Sequence, residues 1–228
     1  MNFLFRIVSN KFIKPFLNHY LRKERTYKYN GLTLTISPGV FHPGFFFSTK
    51  FLVDFVNSLE LKNKTFCEPG TGSGLVSLSA LKKGARVTAF DINPSSVKNC
   101  RENFVRNKFL FDQEFFFEVY LSDLFDSVST QAFDYIVVNP PYFFSNPIDD
   151  VGKAWYAGAN GEYFEKLFQQ INAYIHHDSK VYMILGDNCE IDRIENIAKK
   201  YGLTFSLVKS KKIWWEKNYI FKIEKVCN

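Results

Sequence analysis

Apolar and polar positions follow a repeating order in the chain from residue 65 onward. Short apolar runs that end in glycine, an acid or asparagine alternate with stretches whose apolar residues recur every three or four positions. Strands alternating with helices predict an α/β fold, in which a mostly parallel sheet has helices on both faces. The predicted strands are 65–70, 86–91, 115–123, 133–139, 180–186, 203–210 and 218–226, and the predicted helices cover 48–59, 93–107, 161–176 and 190–202, with one more that ends near residue 83.

Both ends of the chain depart from this alternation. The last two predicted strands are separated by a loop alone, so we expect an antiparallel hairpin at one edge of the sheet. At the other end, residues 3–21 have the apolar spacing of an amphipathic helix. Asn30-Gly31 between two alternating segments predicts a short hairpin over 27–37. We therefore expect an N-terminal helix-and-hairpin extension over residues 1–37 and a main α/β domain over residues 38–228.

Charge changes the picture of the N-terminal segment. Residues 1–30 contain seven Lys and Arg residues but one acid, so this segment carries the whole formal net charge of +6 of the 228-residue chain. Such a basic segment favours contact with an anionic partner, for example RNA or a ribosomal surface. It is equally typical of the solvated face of a terminal helix, and the sequence leaves both interpretations open.

Cysteine and histidine spacing gives no sign of a metal site. The four cysteines form no C-x-x-C pair, and the adjacent His176 and His177 are badly spaced for two ligands on one helix face. We therefore expect neither a metal nor a disulfide framework. Charged residues interrupt the apolar start of the chain, and no small-residue cleavage site follows it, so a signal peptide is not predicted. We expect a cytoplasmic protein that does not span a membrane.

A glycine-rich loop, "EPGTGSG", lies between the predicted strand 65–70 and the following helix. It contains no lysine in the place that a P-loop requires. It also fails the dinucleotide fingerprint, because Leu75 or Ser77 stands where a third glycine is needed. What remains is the spacing of Glu68, Gly70 and Gly72, with Gly74 after them. A loop that brings backbone N–H groups close to a ligand without cradling a pyrophosphate suits a nucleoside without phosphates.

Acids follow the next two predicted strands. Asp91 comes 21 residues after Gly70, at the distance where a carboxylate accepts hydrogen bonds from both hydroxyls of a ribose. Asp123 ends the following strand and is placed to accept from the amino group of adenine. Each acid has a plain alternative, which is a helix cap before Asn93 for Asp91 and a turn residue for Asp123.

The tetrapeptide Asn139-Pro140-Pro141-Tyr142 ends the predicted strand 133–139 at the same edge of the sheet. Pro141 biases Pro140 towards an extended conformation and has no N–H to compete for the Pro140 carbonyl. That carbonyl and the Asn139 side-chain oxygen are two fixed acceptors for the two hydrogens of an –NH2 group. Tyr142 offers a face to a planar substrate. The alternative is a rigid turn that caps a helix.

With these motifs in place, the chain resembles the class I S-adenosylmethionine-dependent methyltransferases, in the branch that modifies amino or amide nitrogens through an N-P-P-Y motif. The resemblance covers about residues 38–225. "GVFHP" and "FFFSTKFLVDFV" are similar to the segment before the first strand of protein-glutamine N5-methyltransferases. "WYAGANGEYFEKLF" (155–168) is similar to the W-A-G-G-x-x-G segment of release-factor glutamine methyltransferases. The chain departs from those patterns at Lys50, Tyr156 and Ala159.

This resemblance implies a Rossmann-like fold with a seven-stranded sheet, S-adenosylmethionine as cofactor, and no metal. It implies that Asn139, Pro140 and Tyr142 are catalytic, and that residues 43–49 cover the methionine end of the cofactor. The implied cofactor-binding residues are Glu68, Gly70, Thr71, Gly72, Asp91, Ile92, Asp123, Leu124 and Asn139. The substrate that the resemblance implies first is a glutamine side chain of a protein, and a translation factor is one candidate for that protein.

Other functions remain open beside this one. A second basic cluster, near Trp214 and Trp215, pairs with the N-terminal one and is compatible with a nucleic acid whose adenine N6 or guanine N2 is methylated; its members are Lys209, Lys211, Lys212 and Lys217. An inactive cofactor-binding subunit is a further alternative, against which the intact tetrapeptide argues. A dehydrogenase is disfavoured by the failed dinucleotide fingerprint. The sequence predicts neither the oligomeric state nor an activating partner.

Overall fold

The computed structural model describes residues 22–111, 115–149, 152–213 and 216–226. A two-stranded hairpin comes first, and the α/β body follows it. The strands are β1 (Arg25–Tyr29), β2 (Leu32–Ile36), β3 (Thr65–Pro69), β4 (Arg86–Asp91), β5 (Phe117–Leu121), β6 (Tyr135–Val138), β7 (Lys180–Gly186), β8 (Leu203–Ile213) and β9 (Glu216–Lys225). The α-helices are α1 (Phe47–Asn57), α2 (Leu75–Lys82), α3 (Pro94–Asn107), α4 (Glu162–Ile171) and α5 (Ile191–Lys200), with 3-10 turns at Pro43–Phe45, Lys108–Leu110, Gly152–Ala154 and Asn172–Tyr174.

The main sheet has seven strands in the order β5-β4-β3-β6-β7-β9-β8. The five strands from β3 to β7 are parallel to their neighbours, while β9 pairs antiparallel with both β7 and β8. The predicted mostly parallel sheet and its antiparallel hairpin are thus confirmed. In this order β3 and β6 are adjacent, so their carboxyl ends meet where the strand order reverses. Ligands of open α/β sheets bind at this point.

Alternate residues of the central strands face two separate apolar clusters. On one face Val137 of β6 and Ile184 of β7 pack with α1 and α2. On the other face Ile136 and Met183 pack with α4 and α5, which contribute Phe164, Phe168 and Ile194, among others. Burial on both faces explains why these strands read as continuous apolar runs in the sequence rather than as alternating ones.

The hairpin β1–β2 packs against the same body. Asn30 and Gly31 both have positive φ, +48° and +80°, which is the geometry of the tight turn that the sequence predicts. Leu32, Leu34 and Ile36 lie in the cluster that α1 and α2 cover. The predicted division of the chain at residue 37 stays a prediction, and the predicted helix 3–21 lies outside the described residues.

A ladder of buried asparagines on α3 joins this hairpin to the body. The Asn103 amide accepts a hydrogen bond from Thr35 N at 2.7 Å and donates to Thr35 O at 2.8 Å and Ser73 O at 2.9 Å. Asn107, one turn later, accepts from Thr33 N and donates to Thr33 O, both at 2.9 Å. These side chains pair with β2 as a neighbouring strand would, and Asn103 also fixes the glycine-rich loop.

Element boundaries differ from the prediction where packing overrides local pattern. The predicted helix 161–176 ends as an α-helix at Ile171 and tightens into a 3-10 turn, because Tyr174 is buried and its hydroxyl donates to Val128 O at 2.8 Å. β8 runs to Ile213, three residues beyond its predicted end, since pairing with β9 continues to its last residue. Within the described ranges, no helix combines the length and apolar character that a membrane crossing needs.

Candidate cofactor and substrate site

One cavity of about 620 Å³ lies at the carboxyl ends of the parallel strands. This volume is typical of sites for small organic ligands. All eleven residues that the sequence singles out line it, which brings together four segments that are far apart in the chain: Glu68, Gly70, Thr71, Gly72, Asp91, Ile92, Asp123, Leu124, Asn139, Pro140 and Tyr142. The sheet order causes this convergence, because β3, β4, β5 and β6 are consecutive neighbours within it.

The glycine-rich loop forms one wall of the cavity. Gly70 N and Thr71 N both donate to Phe90 O, at 2.8 and 3.0 Å, which anchors the loop to the end of β4. A Cβ on Gly70 would meet no protein atom within 4 Å, so a side chain there would fill open space beside the cavity. A Cβ on Gly74 would lie 2.6 Å from the Cys100 sulfur, so that glycine permits the close packing of α3. The two glycines therefore serve different purposes in one motif.

Glu68 is buried beneath this loop, with 3% of its surface exposed. Its Oε2 accepts from Ser77 N at 2.9 Å, from Thr71 Oγ1 at 3.0 Å and from the Ser77 hydroxyl. Burial raises the pKa of Glu68 to about 8, although these donors act in the opposite direction. The carboxyl group is thus a structural anchor for the loop as well as a member of the cavity wall.

Asp91 fixes both the loop and the start of α3. Its Oδ2 accepts from Gly72 N and its Oδ1 from Asn93 N, each at 2.9 Å. Asn93 in turn accepts from Ser95 N at 2.9 Å and caps α3, with Pro94 in its first turn, as predicted. Burial raises the pKa of Asp91 above its usual range. The Ser96 side chain and the Ile92 backbone also form hydrogen bonds with this carboxylate, which lines the cavity.

The loop after β5 brings Asp123 and Leu124 to the cavity. Leu124 has a φ of +52°, which is unusual for a leucine and identifies a backbone held under strain. Ser122 spans the turn, since its hydroxyl donates to Leu124 O at 2.7 Å and accepts from Ser127 N at 2.9 Å. Asp123 Oδ2 accepts from Lys166 Nζ of α4 at 2.6 Å. The loop is therefore held from within and from the neighbouring helix.

The tetrapeptide that begins at Asn139 forms another part of the cavity wall, at the end of β6, the strand next to β3. The Tyr142 hydroxyl donates to Asn139 Oδ1 at 3.3 Å, and the phenol is also hydrogen-bonded by the Ser48 side chain. Burial raises the pKa of Tyr142 above its usual range, so the phenol is neutral and able to donate. The Asn139 amide is thus poorly paired compared with the buried asparagines of α3.

Two further segments cover this wall. Phe143 N donates to Trp155 O at 3.0 Å and Ala157 N donates to Phe143 O at 2.8 Å, which ties the segment 155–161 to the tetrapeptide. The Trp155 ring in turn lies 5.3 Å from Phe41 and 4.9 Å from Phe46, measured between centroids. Phe41, Pro43, Phe46, Ser48 and Thr49 line the cavity, so the segment that the sequence places near the ligand does lie there.

The departures from the family patterns are accommodated without strain. Ala159 is absent from the described non-glycine residues with positive φ, so alanine fits its backbone conformation. Tyr156 lies at the mouth of the cavity, with its ring 6.4 Å from that of Phe143. Lys50 lies on α1 with its Nζ 5.9 Å from the Phe47 ring.

Several lining residues escaped the sequence analysis. Tyr163 and Lys166 of α4 line the cavity. Within the predicted segment 43–49, the burial of Thr49 Oγ1, for which the described residues offer no partner, was likewise not foreseen. Burial raises the pKa of Tyr163, and the charges of Asp91 and Asp123 raise it further. The signal that identifies Tyr163 and Lys166 is their spacing of three on the helix after the W-Y-A-G segment, although that spacing alone does not distinguish a cavity face from a solvent face.

Among the described residues, no histidine or cysteine is part of the cavity wall. His176, His177 and Asp178 come together on the surface, with one ligand atom of each within 4.8 Å of the others, and all three are exposed. Cys67, Cys100 and Cys189 are free thiols. Neither group includes a residue of the cavity wall.

Comparison with known proteins agrees with this geometry. The family model of the methyltransferase small domain matches residues 31–160. A protein named as an N5-glutamine methyltransferase of Methanocaldococcus jannaschii is 39% identical over 113 residues, which are 49% of this chain and 52% of that protein. The chain thus spans about half the length of this relative.

Two other relatives differ in the substrate that their names state. The release factor glutamine methyltransferase of Dictyoglomus turgidum is 30% identical over 212 residues, covering 82% of this chain and 72% of that protein. A tRNA1(Val) (adenine(37)-N6)-methyltransferase of Shewanella loihica is 28% identical over 148 residues, or 63% of this chain and 60% of its own.

Among solved structures, the E. cuniculi Mtq2-Trm112 complex, which is described as responsible for methylation of the eRF1 translation termination factor, has the same fold. Its similar chain aligns with a TM-score of 0.61 at 21% identity, covering 82% of this chain and 99% of that one. The predicted Rossmann-like fold and the family resemblance are both confirmed, and this chain belongs to the methyltransferase small domain family of class I S-adenosylmethionine-dependent methyltransferases.

Proposed function

We propose that this protein transfers a methyl group from S-adenosylmethionine to the side-chain amide nitrogen of a protein glutamine. The observation that carries the proposal is the position of the Asn139–Tyr142 tetrapeptide. It lines the same cavity as the glycine-rich loop, and Phe143, the residue directly after it, is hydrogen-bonded to the W-Y-A-G segment. Amide recognition and cofactor binding would therefore meet in one enclosed space.

The cavity wall fits S-adenosylmethionine on three independent points. The open space at Gly70 leaves room for a ligand against the loop backbone. The Asp91 carboxylate lines the cavity as a candidate acceptor for ribose hydroxyls, and Asp123 Oδ1 has no hydrogen-bond partner within the described residues, which suits an adenine amino group. Thr49 Oγ1 is buried and unpartnered at the same cavity. When bound, this cofactor supplies an electrophilic methyl group.

The chain's own residues orient the nucleophile. An amide nitrogen is a weak nucleophile, because its lone pair is delocalised into the carbonyl group. The Asn139 side-chain oxygen and the Pro140 carbonyl accept the two amide hydrogens, which fixes the direction of the nitrogen. They also stabilise the positive charge that develops on the nitrogen as its new bond forms. The Tyr142 hydroxyl occupies one lone pair of Asn139 Oδ1 and leaves the other for the substrate.

Aromatic side chains at the cavity exclude water from it. Phe41, Phe46 and Trp155 pack together over it, so the acceptors of the tetrapeptide act in a medium of low polarity. No side chain needs to remove a proton before the transfer, because the nitrogen can release it to water or a neighbouring acceptor afterwards.

The W-Y-A-G segment favours a protein glutamine over a base. Its bonds to Phe143 place it against the tetrapeptide, and it is the part of the chain that is similar to release-factor enzymes. Phe144 is not available to stack a flipped base, because both of its ring contacts are within the protein. Phe144 stacks on Phe164 at 5.8 Å and has the Arg193 guanidinium 3.9 Å from its ring centroid.

Labelled methyl transfer into a total lysate tests the substrate class. After incubation with labelled S-adenosylmethionine, the sample is divided and treated with protease or with nuclease. We expect protease to release the label from large molecules, and mass spectrometry of the labelled protein to place the methyl group on a glutamine. Label that nuclease alone releases would refute the glutamine proposal.

The second candidate is a nucleic-acid amino-group methyltransferase. Tyr142 and Phe143, which is 40% exposed, lie at the cavity and could stack on a base. Exposed lysines also lie along β8. Replacement of Arg22, Lys23 and Arg25 by Ala separates the candidates. For a nucleic-acid substrate, binding weakens and its salt slope falls by up to about three. For a protein glutamine, methylation changes little.

A further inference from the structure

A polar clamp joins helix α4 to the loop that follows β5. Lys166 Nζ donates to Asp123 Oδ2 at 2.6 Å and to Asp126 Oδ2 at 2.7 Å. Gln170, one turn later, donates from Nε2 to Asp126 Oδ1 at 2.7 Å and accepts from Phe125 N at 3.1 Å. Both oxygens of Asp126 and one of Asp123 are therefore engaged by two side chains of a single helix face.

The loop that the clamp holds does not have a relaxed backbone. Leu124 lies between the two clamped acids and has a φ of +52°, a strained conformation for a residue that is not glycine. Such a conformation persists where the surroundings determine it. The bonds from Ser122 constrain it from inside the loop, and the clamp constrains it from outside.

The members of the clamp differ in their access to the cavity. Asp123, Leu124 and Lys166 line it, whereas Asp126 and Gln170 are absent from its wall. A ligand in the cavity can contact Asp123 and Leu124 directly. Asp126 and Gln170 can affect its binding only by holding the loop in place. This difference separates a role in positioning from a role in direct binding.

We propose that Asp126 and Gln170, together with Lys166 through its bond to Asp123, are positioning residues that hold Asp123 and Leu124 in place for the adenine of the cofactor. The inference rests on the proposed function, which places adenine at Asp123. It goes further, because α4 begins directly after the W-Y-A-G segment, at Glu162. The helix that holds the loop after β5 is thus continuous with the W-Y-A-G segment, which lies beside the tetrapeptide.

Calorimetry with S-adenosylhomocysteine tests the inference without requiring turnover. We expect Asp126→Asn and Gln170→Met each to weaken its binding by about 5–10-fold, since a single hydrogen bond of this kind corresponds to about 1 kcal/mol. Lys166→Met should weaken it at least as much, and Lys166→Arg should restore most of the affinity, because it retains the charge and the donors.

A second ligand shows whether the loop is positioned for adenine in particular. S-inosylhomocysteine has a carbonyl oxygen in place of the adenine amino group. It therefore lacks the N–H groups from which Asp123 would accept a hydrogen bond. The unaltered protein should prefer S-adenosylhomocysteine, and Asp126→Asn and Gln170→Met should reduce that preference by a few-fold, about 3 or more. A general loss of protein stability would weaken the binding of both ligands to the same extent. It would leave the ratio of the two affinities unchanged.

Lys200→Met is the matched control, because it removes another lysine that pairs with an acid of α4, Glu165, away from the cavity. Its affinity and its preference should equal those of the unaltered protein. Affinities within twofold for Asp126→Asn and Gln170→Met, in a protein that binds S-adenosylhomocysteine and prefers it, would overturn the inference and leave the proposed function standing. An unaltered protein without any preference would refute the placing of adenine at Asp123 and the inference with it.

Discussion

Asparagines occupy two opposite situations in this molecule, on α3 and at the end of β6. Asn103 and Asn107 are buried, and hydrogen bonds to β2 and the glycine-rich loop use both the donor and the acceptor of each amide. Asn139 lies at the cavity, and within the described part of the chain its side chain has one hydrogen bond, the 3.3 Å contact with the Tyr142 hydroxyl. A saturated amide holds a fold together, whereas an amide with spare donors and acceptors is available to a ligand.

The largest effect that this comparison predicts is on stability. Asn103→Ala leaves Thr35 N, Thr35 O and Ser73 O without their partner, so we expect the free energy of unfolding to fall by about 3–5 kcal/mol. Urea denaturation measures the loss. Asn99→Ala is the matched control, because Asn99 is equally buried on the same helix but makes one bond, to Ser37 Oγ, while its Oδ1 has no partner. Equal losses for the two variants would show that burial, and not pairing, determines the cost.

The reverse outcome is expected for Asn139→Ala. Turnover should fall by about 100-fold or more, which is the cost of losing one preorganised polar group at the reacting atoms. Cofactor affinity and the urea midpoint should stay close to those of the unaltered protein, because the fold does not use this amide. Single-turnover methylation and calorimetry measure the two quantities. Asn160→Ala removes an asparagine outside the cavity wall and should alter neither; near-normal turnover of Asn139→Ala would end the amide-cradle mechanism.

Asp91 has both roles, because it is hydrogen-bonded within the fold and also lines the cavity. We expect Asp91→Ala to weaken binding of S-adenosylhomocysteine by more than about 1 kcal/mol, since ribose hydroxyls lose a charged acceptor and Gly72 N loses its partner. Calorimetry gives the affinity. Asn93→Ala removes the helix cap while it keeps the carboxylate, so it should destabilise the protein and leave the affinity unchanged. A cap variant that lost as much affinity would reduce Asp91 to a capping residue.

Glu68 predicts an effect on stability that only a change of pH reveals. Its pKa is about 8 in the folded protein against 4.5 for the free side chain, so the fold favours the neutral acid. The stability that this preference contributes is complete below pH 4.5 and is lost as the pH rises through about 8. Glu68 therefore lowers the free energy of unfolding between these values by at most about 1.4 kcal/mol per pH unit. Urea denaturation at pH 5 and pH 8 should show a smaller decline for Glu68→Gln, and an equal decline would contradict the shift.

The sequence predicted the fold because local pattern and global topology agree in most elements. Asn30-Gly31, the cap at Asn93 and the apolar strand runs all have short-range causes, and the strand 86–91 and the strand 180–186 match their predicted limits. Predicted ends failed where distant partners decide them, as at Tyr174, whose hydroxyl reaches Val128 O. Motifs at the ends of successive strands were also predictable as one site, since parallel strands direct their carboxyl ends to one edge.

The sequence by itself thus determined the alternation of strands and helices, the glycine-rich loop and the tetrapeptide, because each depends on residues that are neighbours in the chain. Only the tertiary structure decided which polar side chains are saturated. Asn103 and Asn139 are alike in the sequence, and the difference lies in partners about 68 residues away for one and three residues away for the other. The clamp of Lys166 and Gln170 on Asp126 was hidden for the same reason, since hydrogen bonds between distant segments exist only after the sheet has set their separation.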